Sequence, residues 1–151
     1  MIIVSACLAG VNCRYNGENN TDDRVLEIVK DGRAMLVCPE QLGGLTTPRE
    51  PAEIVDNGKG DKKVMTKLNQ DVTKEFIKGA EETLNITKML NSTIAILKSR
   101  SPSCGFGEIY DGSFSGKKKK GNGFTAEILS LNGIKVYTEE NLPNDLLDRF
   151  L

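Results

Sequence analysis

Four short apolar runs, at residues 2–6, 34–37, 93–97 and 134–137, limit what this chain can become. Each is too short for a stable helix and most are rich in β-branched residues, so each reads as a buried strand. Helical patterns lie between them. Asp22 and Asp23 are placed to cap a helix carrying Val25, Leu26, Ile28 and Val29, which stops near Gly32. Asp71 is placed to cap a longer one with Val72, Phe76, Ala80 and Leu84 at helical spacing. A third spans 124–131 and ends at Asn132-Gly133, and a short carboxy-terminal helix is expected over 144–150. Strands alternating with helices predict an α/β fold around a mainly parallel sheet. Residues 52–69 break this rhythm: Glu53-Ile54-Val55 and Lys63-Val64-Met65 flank a turn-like 56–60, which predicts a hairpin or irregular excursion.

At 151 residues, with no internal repeat and no linker-like stretch, the chain is expected to be one domain, 1–151. A net charge of −1 argues against general nucleic-acid or membrane-surface binding. The start, Met1 to Ser5, lacks the basic opening and long apolar core of a signal peptide, and no run reaches membrane-spanning length. A cytoplasmic protein is therefore expected. There is no histidine, which excludes imidazole-based zinc sites and Ser-His or Cys-His nucleophile pairs. Proton transfer falls to carboxylates, lysine, tyrosine, hydroxyls or water.

The four cysteines then carry the chemistry, since in a cytosolic protein they serve metals or catalysis more often than disulfides. Cys7 directly follows the first strand, Cys38 the second, and Cys104 the third after a short connection. In a parallel sheet these three thiols gather beyond the carboxyl ends of the strands, where open α/β sheets place ligands. Simple packing of small side chains is the bland alternative. A zinc site would want four closed ligands in close pairs, and none exists here. An iron–sulfur cluster tolerates wide spacing, and three protein thiolates leave one iron open as a soft Lewis acid. Cys13, farther along the first loop, is ranked below the other three and is left as a bystander, a sulfur carrier or a closing ligand.

In Cys38-Pro39-Glu40, Cys38 and Glu40 point to one side if the loop is extended, which would bring a proton-carrying carboxyl to the open iron; a solvated surface Glu is the alternative. Ser101 and Ser103 flank Cys104 as hydrogen-bond donors. Gly43-Gly44 and Gly105-x-Gly107 suggest backbone close to something, though neither forms a nucleotide fingerprint. Arg14, Arg49 and Arg100 flank the cysteine loops, and for each an ordinary surface salt bridge is expected. The lysine run 117–120 reads as a solvated loop tip.

Together, Val4-Ser5-Ala6-Cys7-Leu8 with Gly10 and Arg14-Tyr15, Cys38-Pro39-Glu40 with Gly43-Gly44 and Pro48-Arg49, Arg100-Ser101-Pro102-Ser103-Cys104-Gly105, and Tyr110-Asp111-Gly112 with Phe114-Ser115-Gly116 resemble the thiouracil desulfidase (TudS-like) family. The resemblance runs from the first strand to about Val136. It implies a single Rossmann-like three-layer domain holding a [4Fe–4S] cluster on Cys7, Cys38 and Cys104, with one iron not ligated by protein. It also implies Glu40 and Ser101 as catalytic helpers, and a small thiolated pyrimidine as substrate, its sulfur exchanged for oxygen without net redox chemistry. Ala9, Asn16 and Phe124 depart from the family's usual residues. Free base, nucleotide and tRNA all remain open as carriers of the sulfur. Sulfur trafficking, redox sensing and a structural zinc module are the competing readings.

Overall fold

The computed structural model describes residues 1–146 and 148–150. Its centre is a four-stranded parallel sheet in the order β2-β1-β5-β8, built from β1 (Ile2–Ser5), β2 (Ala34–Val37), β5 (Ile94–Leu97) and β8 (Lys135–Thr138). These are the four apolar runs, displaced by at most one residue at either end. β1 and β5 are buried at every position, as expected of central strands covered on both faces.

Alternation along the strands divides the core in two. Ile2, Val4 and Ile96 face Val25 and Ile28 of α1 (Asp23–Lys30) and, farther along, Leu142 and Leu146. Ile3, Ala95, Leu97 and Val136 face the other way, onto Leu84 of α3 (Thr73–Met89) and Ala126 and Leu129 of α4 (Phe124–Leu131). Helices on both faces of a parallel sheet give the expected three-layer α/β architecture. α1 begins where the sequence places it: Asp22 accepts hydrogen bonds from the Arg24 and Val25 amides. α3 starts just after Asp71, whose carboxylate takes the Thr73 N–H at 2.9 Å. Of the expected helix over 144–150, a 3₁₀ turn at Asp148–Phe150 is seen; Leu147, within that span, lies outside the described residues.

Two antiparallel ribbons decorate this frame. β3 (Ala52–Asp56) and β4 (Lys62–Thr66) form the hairpin anticipated in 52–69. β6 (Glu108–Tyr110) pairs with β7 (Lys118–Lys120). The lysine run is therefore a strand and not a loop tip. Ladder hydrogen bonds hold its backbone, Lys118 and Lys120 stay exposed, and only Lys119 is half-buried. Ile54, Val64, Phe76 and Ile109 form a third small core beneath both ribbons. No helix among the described residues is long and apolar enough to cross a membrane.

Candidate active site

The strand order reverses between β1 and β5, and three of the cysteines leave the sheet at or beside that switch point. Cys7 sits in a 3₁₀ turn, Ala6–Ala9, that continues β1 and is closed by Gly10 at φ 100°. Cys38 caps α2 (Pro39–Leu42), a single turn that follows β2 with Pro39 at its start and Glu40 in it. After β5 the chain passes through Arg100 at φ 66°, held by ion pairs to Glu108 and Glu140, and turns tightly over 101–104. Ser101 Oγ accepts the Cys104 N–H at 2.6 Å, and the Ser101 carbonyl accepts the Gly105 N–H at 2.9 Å.

The start of α4 locks this turn. The Phe124 amide donates to Pro102 O, and the Thr125 and Ala126 amides to Ser103 O, so the loop carbonyls satisfy amides the helix leaves free. The fit requires bare backbone: a Cβ on Gly123 would stand 2.4 Å from the Ser103 carbonyl carbon.

The result is a cavity of about 640 Å³ whose wall includes Cys7, Cys13, Cys38 and Cys104, with Ser5, Glu40, Arg49, Lys98 and Ser101. None of the four cysteines is in a disulfide. Ser5 donates to Cys104 Sγ at 3.2 Å, and Cys38 Sγ donates to Glu40 Oε2 at 3.5 Å. Ser103 donates to Glu40 Oε1, while Arg49 Nη2 lies 3.9 Å from Glu40 Oε2. Lys98 is paired with Glu139 at 3.0 Å.

Burial pushes the Cys7 thiol up to about 12, helped by the neighbouring Cys104 and Glu40 and opposed by Lys98. Burial and then Glu40 push Cys104 up to about 12 as well, against hydrogen bonds from Ser103 and Ser5. Cys38 is raised by its hydrogen bond with Cys13 and by burial; the same bond lowers Cys13. The wall of the cavity carries Arg14, Arg49, Lys67 and Lys98, and among them stands a donor set of four soft sulfurs and the Glu40 carboxylate. That donor set suits a thiophilic, cationic inorganic core. Among the described residues no three cysteine or carboxylate groups close tightly enough to hold a single metal ion.

The cavity brings together all five residues singled out from the sequence, Cys7, Cys38, Cys104, Glu40 and Ser101. Cys13 is not remote, as its distance along the loop suggested. The loop folds back through a Cys13 N–H to Val11 O hydrogen bond, so that the Cys13 thiol meets Cys38 and is 3% exposed. Arg49 is no surface ion pair either; it reaches inward to donate to the Cys13 carbonyl at 3.0 Å. Ser103, weighed with Ser101 only as a loop donor, is the serine that touches Glu40. Gly43 does lie close to something, but that neighbour is the backbone of α3. Ser5 and Lys98 were given no role from the sequence, although both adjoin strand ends and lie in stretches similar to the family's.

Three comparisons bear on this geometry. A protein of Bacillus subtilis (strain 168), the uncharacterized protein YbbK, is 46% identical over 152 residues, covering 97% of this chain and 100% of that one. A solved structure named as the [4Fe-4S]-dependent thiouracil desulfidase TudS superposes with a TM-score of 0.88 at 42% identity, covering 99% of this chain and 97% of its own. The model of the family described as 2-thiouracil desulfurase matches residues 2–141. This chain belongs to the 2-thiouracil desulfurase family.

Proposed function

We propose that this chain, acting as one domain over 1–151, is a [4Fe–4S]-dependent desulfidase that replaces the sulfur of a small thiolated pyrimidine with oxygen. The observation that carries the reading is the meeting of three thiols, from three separate strand ends, in one cavity with a carboxylate that serine and arginine hold in place. Cys7, Cys38 and Cys104 would hold the cluster. Family membership and the [4Fe-4S]-dependent neighbour support it.

When bound, the cluster supplies a soft Lewis acid, at an iron no protein thiol holds, that accepts the thione sulfur. The residues of the chain do the rest. Glu40 takes a proton from the attacking water, its two oxygens fixed by Ser103 and by Arg49. Ser101 Oγ accepts the Cys104 N–H and, since the Ser103 proton goes to Glu40, donates to Ser103 Oγ at 3.3 Å; a ring or water arriving in the cavity would take that proton in its place and be oriented by it. Sulfide leaves with its electron pair while water oxygen takes its place on carbon. No electron partner is needed. Phe76, Tyr110 and Phe114 line the same cavity.

The test is the iron and acid-labile sulfide content of anaerobically prepared protein, with turnover of thiouracil or thiouridine monophosphate. Glu40→Gln is expected to keep cluster absorbance and lose roughly 10²- to 10⁴-fold in turnover. Full turnover by Cys104→Ala, or zinc in place of iron, overturns the assignment.

A further inference from the structure

The connection between β6 and β7, residues 111–117, has a backbone that its sequence would not choose unaided. Phe114 lies at φ 55°, in the left-handed region where a bulky side chain is rare. Gly112, at φ 93°, passes so close to β3 that a Cβ there would stand 2.8 Å from the Ile54 carbonyl oxygen. One carboxylate oxygen imposes this shape. Glu53 Oε1, on β3, accepts the Gly112 N–H at 3.0 Å and the Phe114 N–H at 3.2 Å. From within the loop, Asp111 Oδ1 accepts the Ser113 N–H at 2.9 Å and the Ser113 hydroxyl at 2.5 Å. Left-handed backbone at a non-glycine residue persists only where its surroundings enforce it, and it clusters at ligand clamps.

The strained residue, Phe114, lines the cavity that holds the four thiols, as does Tyr110. Aromatic residues are scarce in this chain, 5% in all with no tryptophan. A ring placed here at the cost of a left-handed backbone is therefore informative. A planar heterocycle whose sulfur must reach the cysteine end of the cavity needs a surface for its π-face, and an aromatic side chain provides one. We propose that Phe114 is the ring-binding residue, setting a preference for flat aromatic heterocycles over non-planar thiocarbonyl compounds, and that Glu53 is the positioning residue that holds it there. The proposal rests on the desulfidase reading.

The test compares Phe114→Leu, Glu53→Ala and Glu53→Gln in cluster-loaded protein. Turnover of 2-thiouracil is measured, and uracil binding is followed by calorimetry. Phe114→Leu keeps the bulk and the backbone demand. It should raise KM and the uracil Kd on the order of tenfold, with kcat and iron content little changed. Glu53→Ala should do the same, and in the metal-free chain it should speed hydrogen exchange of the Gly112 and Phe114 amides. Glu53→Gln keeps an acceptor oxygen and should restore most of the loss. Unchanged KM and uracil affinity in Phe114→Leu overturn the proposal. So does slow exchange of both amides in Glu53→Ala. If wild-type protein binds iron and uracil but leaves thiouracil intact, the desulfidase reading fails, while the binding data still decide the role of Phe114.

Discussion

Adding a single methyl group at Gly79 should disturb both the stability and the chemistry of this protein. Gly79 lies in the middle of α3, where it faces α2, the short helix that carries Glu40 and is capped by Cys38. A Cβ at Gly79 would stand 2.0 Å from the Pro39 carbonyl oxygen, and one at Gly43 would stand 1.9 Å from the Glu75 carbonyl oxygen. The two helices therefore touch backbone to backbone, with a glycine on each side. Ordinary contact begins near 3.4 Å, so Gly79→Ala must drive α2 back by about 1.4 Å. No rotamer change can absorb that, because both obstacles are backbone. Overpacking of this kind costs about 3 kcal/mol. Alanine's better helix propensity returns about 1 kcal/mol, leaving a net loss of about 2 kcal/mol. The displaced helix takes Glu40 with it, and an error of about 1 Å at a reacting group costs on the order of 100-fold in rate. Urea unfolding of the metal-free chain measures the first effect and turnover of the iron-loaded enzyme the second, with the exposed neighbour Lys78→Ala as control. If Gly79→Ala unfolds at the wild-type urea concentration and turns over at the wild-type rate, α2 is not placed by this contact and the reasoning is wrong.

Other expectations can be checked in the same preparations. Cys13→Ser should retain iron and sulfide at the wild-type level while Cys38→Ser loses them, since Cys13 abuts Cys38 without being one of the proposed ligands; elemental and sulfide analysis separates the two outcomes. The metal-free chain should weaken in alkali. Cys7 and Cys104 hold their protons up to about 12 when folded, against an ordinary value of 9.0, so the folded state releases them later than the unfolded one. The resulting stability is present below pH 9.0 and is lost as pH rises toward 12. Urea midpoints at about pH 8 and about pH 10.5 should therefore diverge in wild type and diverge less in Cys7→Ser/Cys104→Ser, whose hydroxyls do not titrate and in which Cys38 keeps its raised thiol.

Strand positions were legible because central parallel strands are buried on both faces and read as unbroken apolar runs, as in Ile94–Leu97. The gathering of Cys7, Cys38 and Cys104 followed from that topology, since a parallel sheet sends every strand end to one edge. What stayed hidden depends on loops folding back, which has no period in sequence. Cys13 lies six positions beyond Cys7 and still returns to Cys38, through a turn set by backbone hydrogen bonds and by Arg49 reaching across from 36 positions away. Ser101 and Ser103 were indistinguishable as letters. Only the turn after Arg100 sends one to the Cys104 amide and the other to Glu40. The lysine run was misread because β7 is stabilised by pairing with β6 and not by apolar alternation.

These successes and failures follow a division within the site. Its sulfur-bearing side is made from strand ends and from the starts of α2 and α4, all joined to the main core, and little there can move without breaking the sheet or the α2–α3 contact. Its opposite side is made from two ribbons over a small core, Ile54, Val64 and Ile109 with Phe76 of α3, and Glu53 ties the ribbons to each other. A ribbon anchored by a separate core can change shape without disturbing strand ends elsewhere. Substitutions at Glu53, Tyr110 or Phe114 should therefore alter which ring is accepted while iron loading stays constant, whereas changes at Ser5, Gly79 or Gly123 should alter iron loading and turnover together. The thiouracil scaffold would then be read by the ribbons, and the removal of its sulfur would be the work of the sheet edge.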